Sequence, residues 1–253
     1  MNKKSKLKII QKEFVHESES MNRTKPPIPI EVVDLKNFVR LALALTDGPQ
    51  ILWYFKHKNK HIIALFTAYM YWTGDLPMLA YVTIDDPPKP FLAYKSDSLK
   101  GEEWMFTNEA DDTRYRHASL IELKEIPKAF KDCLEGDYPL PSEPMLAEVE
   151  NINSIIRILF PLSVREGTIF PLWHFMRKDK HIIGTCIPFE HYYEADALPI
   201  FFYVVQKEGP EGPFIKYSAT KPFGERVVYT NNTAEAKYFY TKIIDVKDFP
   251  IFP

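Results

Sequence analysis

The sequence predicts an α+β fold made twice over: a helix followed by a five- or six-stranded antiparallel meander sheet, the two copies packed as a pseudo-two-fold dimer. Three observations predict it. They are an internal repeat, a one-sided helix at the head of each copy, and aromatic-rich runs of strand length after each helix.

The repeat is densest where Leu52 to Ile63 lies over Leu172 to Ile183, with Trp53 on Trp173. Eight of the twelve positions are identical, where unrelated stretches of ordinary composition would share about one. The correspondence continues through small insertions of the kind surface connections tolerate. Pro77 and Tyr81-Val82 answer to Pro199 and Tyr203-Val204, Pro90-Phe91 to Pro213-Phe214, Thr107-Asn108 to Thr230-Asn231, and Lys124 and Pro127 to Lys247 and Pro250.

Each copy opens with a helix. Val32, Leu35, Val39, Ala42 and Leu45 recur at spacings of three and four, which gives one apolar stripe, and Asp47-Gly48-Pro49 reads as the stop. In the second copy Ser142 reads as the cap, and Val149, Ile152, Ile156 and Leu159 repeat the stripe up to Pro161. Arg40 and Arg157 hold matching places. A one-sided helix must lie on another layer, here a sheet.

Strand-like runs follow near 51–57, 61–72, 78–84, 90–95, 103–107 and 115–124, with counterparts near 171–176, 181–189, 199–206, 213–217, 226–230 and 237–246. Short connections between successive runs read as hairpins, hence the meander. Lys58-Asn59 and Lys178-Asp179 read as two-residue turns, because Asn and Asp tolerate the left-handed backbone such turns require. The run from Ile62 to Trp72 is apolar almost without alternation, as a central strand covered on both faces would be. The other copy is the expected cover.

The domain organisation follows: a disordered basic tail over residues 1–25, the first repeat over 26–130, a Pro-rich linker over 131–142 and the second repeat over 143–253. Met21 competes with Met1 as the start. The tail carries Lys3, Lys4, Lys6 and Lys8 but lacks the apolar run of a signal peptide. No stretch reaches the ~20 apolar residues that span a bilayer.

Composition narrows the function classes. A formal charge of −2 removes any global attraction to nucleic acid or membrane, so electrostatics must act locally. Two cysteines without metal or redox spacing fit a reduced, cytoplasmic protein. With 18 Phe, 14 Tyr and 4 Trp against 9 Gly, the chain favours stacked strands over Gly-rich phosphate loops. No nucleophile elbow, dinucleotide fingerprint or Cys-His pairing occurs, so no catalytic residue, metal or cofactor is assigned.

The candidate binding residues gather at the repeated hairpin: Trp53, Lys58, Lys60 and His61 in the first copy, Trp173, Arg177, Lys178, Lys180 and His181 in the second. The cations could grip phosphate oxygens and the Trp rings could stack on bases. Charged turns are also ordinary solvated surface, and a repeated Trp is also an ordinary core residue. His61 and His181 could meet across the pseudo-axis as paired acid-base groups, or each could serve structure alone. Cys186, Glu190, His191 and Glu194 hold metal-ligand chemistry at an unconstrained loop. The acidic loops at Asp85-Asp86 and Glu109 to Asp112 are not repeated in the second copy, against a duplicated acidic site.

The reading favours a non-enzymatic scaffold that binds a macromolecular partner, a protein in preference to RNA. The alternative is a small-molecule binding protein or enzyme, its aromatic-lined pocket between helix and sheet or at the repeat interface.

Overall fold

The computed structural model describes residues 28–45, 50–69, 76–95, 103–126, 128–136, 145–166, 171–188, 199–218, 227–232, 238–250 and 252. The tail, the turn at Asp47 to Pro49, Ser142, and the loop with Glu190, His191 and Glu194 lie outside them.

Each half opens with a four-residue strand that the sequence reading missed, β1 (Ile28–Glu31) and β8 (Met145–Glu148). Both run parallel to the fourth strand of their own half, β4 (Leu76–Ile84) or β11 (Pro199–Gln206). The helices follow, α1 (Leu35–Leu45) and α3 (Ile152–Glu166). An Asx side chain caps each at the same repeat position: Asp34 Oδ1 accepts from the Asn37 N–H at 2.7 Å, and Asn151 Oδ1 from the Ser154 N–H at 3.1 Å. The cap of α3 is therefore Asn151 and not Ser142. Nor does Pro161 end α3, which continues to Glu166.

The remaining strands fall close to the expected runs. They are β2 (Gln50–His57), β3 (Lys60–Tyr69), β5 (Phe91–Lys95), β6 (Trp104–Thr107) and β7 (Tyr115–Glu122) in the first half. In the second they are β9 (Leu172–Arg177), β10 (Lys180–Pro188), β12 (Phe214–Ser218), β13 (Val227–Thr230) and β14 (Tyr238–Asp245). The sheets have one topology, β1-β4-β3-β2-β7-β5-β6 and β8-β11-β10-β9-β14-β12-β13. Two similar seven-stranded halves make the duplication a property of the fold.

The meander is corrected. After β4 the chain does not turn back beside it but crosses the hairpin end of the sheet to β5, and β7 then inserts parallel to β2. The same crossover carries β11 to β12 and lays β14 parallel to β9. Each sheet is mixed, and helix is the minor component.

The cover of the central strand is corrected too. On β3, Ile63 and Leu65 face the main core, while Ile62 and Ala64 face a second cluster with Trp53, Phe55 and Leu79. That second cluster is closed by Phe130 and Cys133 of α2 (Lys128–Glu135), a helix in the segment expected to be mostly linker. In the second half the corresponding face, with Trp173, Phe175 and Phe201, is closed by Phe249, whose ring lies 4.5 Å from that of Phe201. Each outer face is thus covered by the chain that leaves its own last strand.

The halves join elsewhere. Val32, just after β1, bridges Val246, just after β14, with the Val33 N–H donating to the Asp245 carbonyl and the Lys247 N–H to the Glu31 carbonyl. Lys247 Nζ also reaches Glu31 Oε1 at 2.6 Å. Helix α1 packs on β4 of its own sheet and on β14 of the other. A two-fold axis would repeat this bridge between Leu123 and Val149, and among the described residues it is made once. Helices long and apolar enough to cross a membrane are absent among the described residues.

Candidate functional site

The hairpins form as their turn residues dictate. Lys58, Asn59, Lys178 and Asp179 all take positive φ, between 45° and 64°, which matches the twist of a two-residue hairpin. Lys58, Lys60, Lys178 and Lys180 are exposed at these tips. Trp53 and Trp173 are not available beside them. They are 8% and 1% exposed, on the outer-face clusters, so neither offers a ring to a base. Arg177 is held in the structure, donating to the Phe252 carbonyl at 2.9 Å with its guanidinium over the Phe252 ring.

The two histidines do not meet across the halves; each is bonded within its own sheet. His61 Nδ1 lies 2.7 Å from the Tyr54 hydroxyl, the two rings stacked. His181 Nδ1 lies 2.9 Å from His174 Nε2, and His174 Nδ1 lies 2.6 Å from Asp245 Oδ1. The imidazoles are stacked, with centroids 5.2 Å apart and planes at 12°. The register explains the contact: parallel pairing sets Asp245 beside His174, and antiparallel pairing sets His181 diagonally opposite it on the same face.

With Asp245 a carboxylate and both imidazoles neutral, the bonding fixes both tautomers. His174 Nδ1–H donates to the carboxylate, so its Nε2 is an acceptor, and His181 Nδ1–H donates to that. His181 Nε2 is left with a lone pair and no partner among the described residues. The β11–β12 crossover caps the ring, because Gly209 lies so close that a Cβ there would sit 2.7 Å from His181 Cε1. Sequence reasoning had His181 but not His174 or Asp245. The signal was the replacement of Tyr54 by His174 inside the best-kept stretch of the repeat.

A second group missed from the sequence lies where the halves join. Arg40 of α1 is 8% exposed and Lys242 of β14 is 5% exposed. Arg40 Nη1 donates to Asn37 Oδ1 at 2.8 Å. Burial first, and then the Arg40 charge, push the Lys242 ammonium down to about 8. Among the described residues Lys242 Nζ has neither an acceptor nor a carboxylate partner.

Both cysteines are buried thiols outside any disulfide, and burial pushes each up to about 12. Clusters of three or more His, Cys, Asp or Glu able to hold a metal are absent among the described residues. In the acidic loops, Asp112 is committed to the Arg114 guanidinium, which holds its carboxyl down at about 2, and Asp85 and Asp86 are exposed. No family model, curated protein or solved structure matches the chain.

Proposed function

We propose that the chain is a non-enzymatic tandem scaffold that binds a protein partner, most directly by accepting an extended segment along the β6 edge. The observation that carries this is the apolar exposure of that edge. β6 ends its sheet among the described residues, and Trp104 and Met105 are 37% and 45% exposed there. An edge strand offers unpaired backbone groups to an added strand, and alternate side chains supply selectivity. A protein is favoured over RNA because the Trp53 and Trp173 rings, which a base would stack on, are buried. The reading places the protein in the cytoplasm, where Cys133 and Cys186 stay thiols.

The test is capture from native lysate at physiological salt with wild type, Trp104→Pro and a Lys178→Glu/Lys180→Glu control. Trp104 lies opposite Tyr94 between the hydrogen-bonded pairs of the β5–β6 ladder, so its N–H faces the free edge, and proline there removes an edge donor without breaking that ladder. The expected result is one enriched protein that is lost with Trp104→Pro, kept by the control, and that protects β6 amides from exchange. Capture unchanged by Trp104→Pro refutes edge pairing.

A second reading, a small-molecule binder or enzyme, draws on the Asp245–His174–His181 relay, which presents an imidazole lone pair beside a loop. Its test is a pH-resolved ¹⁵N spectrum of the imidazoles. Asp245→Asn should change the His174 tautomer and shift His181 Nε2; an unmoved His181 signal removes the relay.

A further inference from the structure

We infer that each half carries one side of a second, unmade seam, and that the chain uses these two surfaces to bind a further copy of itself head to tail. The Glu148-Val149 corner and α3 of one copy receive the Leu123-Lys124 corner and β7 of the next. The inference does not rest on the β6 edge.

The seam within the chain defines the parts. The first half contributes Glu31, Val32 and α1, and the second contributes Val246, Lys247 and β14. Two backbone bonds, the Val32–Val246 bridge and the 2.6 Å ion pair of Lys247 with Glu31 hold it. By the repeat, every part has a counterpart: Glu148, Val149 and α3 for the first set, Leu123, Lys124 and β7 for the second. The ion-pair residues are kept as Glu148 and Lys124, and both are exposed. The backbone is set in the same way. The Val149 N–H donates to the Tyr203 carbonyl as that of Val32 does to Tyr81, and the Leu123 N–H to the Tyr54 carbonyl as that of Val246 does to His174. Yet among the described residues no bond joins Glu148, Val149 or Glu150 to Glu122, Leu123 or Lys124.

Exposure marks what is missing. Val32 and Val246 are buried, whereas Val149 and Leu123 are half-buried. Asn37 and Leu41 of α1 are buried, and Ser154 and Ile158 at their places on α3 are not. Met145, on the same face of β8 as Val149, is 52% exposed, while its counterpart Ile28 is fully buried. An interface that joins two unlike surfaces leaves one of each kind unused, and a further copy takes them up, in a ring or a filament as the rotation closes or not. One substitution weakens the second seam: Glu150 stands where the first has Val33, bringing a carboxylate toward that of Glu122.

The experiment is sedimentation equilibrium of the full chain over micromolar to millimolar concentrations. The mass should rise above that of one chain, and Glu150→Val should tighten the association. Lys124→Glu and Glu148→Lys should each weaken it ~10-fold or more by setting like charges together, with Lys178→Glu on the exposed hairpin leaving it unchanged. Each reversal spoils a different surface. An equimolar mixture of the two should therefore associate through the pair left intact, the Glu148 corner of the Lys124→Glu chain on the Lys124 corner of the Glu148→Lys chain. A single-chain mass at every concentration, association kept in Lys124→Glu, or a mixture no more associated than its components overturns the proposal.

Discussion

Gly184 and Phe201 should behave as one unit, and the repeat shows why. Their counterparts are Ala64 and Leu79, so one half pairs a methyl with Leu and the other pairs no side chain with Phe. A Cβ on Gly184 would lie 2.6 Å from Phe201 Cζ, 2.8 Å from its Cε1 and 2.6 Å from the Phe202 carbonyl oxygen. Gly184→Ala should therefore destabilise by about 2 kcal/mol through overpacking. Phe201→Leu loses the stack on Phe249 and some volume, at about 1 to 2 kcal/mol. The double variant should cost at least about 1 kcal/mol less than the two single losses together, because Leu removes the ring atoms that the new methyl strikes. Rescue should be incomplete, since the carbonyl contact remains. Urea unfolding of the four proteins measures this directly. Additivity within about 0.5 kcal/mol, or a Gly184→Ala variant as stable as wild type, refutes the reasoning.

Three further outcomes follow. Because Lys178 and Asp179 adopt positive φ, Lys178→Asn/Asp179→Gly should stabilise by about 0.5 to 1 kcal/mol in urea unfolding, with binding unaffected. The Lys242 pKa is depressed from 10.5 to about 8, with Arg40 the facing charge. The unfolded chain then binds the extra proton between about pH 8 and 10.5, so stability should rise with pH across that window. The contribution is up to about 3 kcal/mol. Lys242→Met should flatten the rise between pH 8 and 10; a slope equal to wild type would count against it. With both thiols raised to about 12 by burial, Cys133 and Cys186 should resist a disulfide reagent at pH 8 until urea is added; fast labelling of native protein would show otherwise.

Much of the fold was legible because its determinants are local. The turn pairs at Lys58 and Lys178 and the apolar strands beside them fix hairpin and register within a dozen residues, and β2 to β7 and β9 to β14 fall near their expected runs. What failed was long-range. The strands Ile28–Glu31 and Met145–Glu148 are four residues long, one contains Pro29, and they exist only through parallel pairing with strands some 50 residues further on. The insertion of β7 beside β2 leaves no mark in connection lengths, because the six-residue link from Ile84 to Phe91 suits a hairpin as well as a crossover. Of the site, the exposed lysines were legible from turn chemistry. The Trp pair required knowledge of the outer face, and Arg40 with Lys242 required knowing which helix meets which strand.

The Val32–Val246 bridge carries a consequence for how the molecule is made. Its partners are separated by almost the whole described chain, and loop closure over such a span comes late in folding. During synthesis the first sheet can pair and be sealed by Phe130 and Cys133 soon after they leave the ribosome, while the outer face of the second waits for Phe249 and Phe252. A nascent chain stalled before Lys242 would therefore carry a closed first half and an open second half. The seam with its two cations is the last part of the protein to come into being.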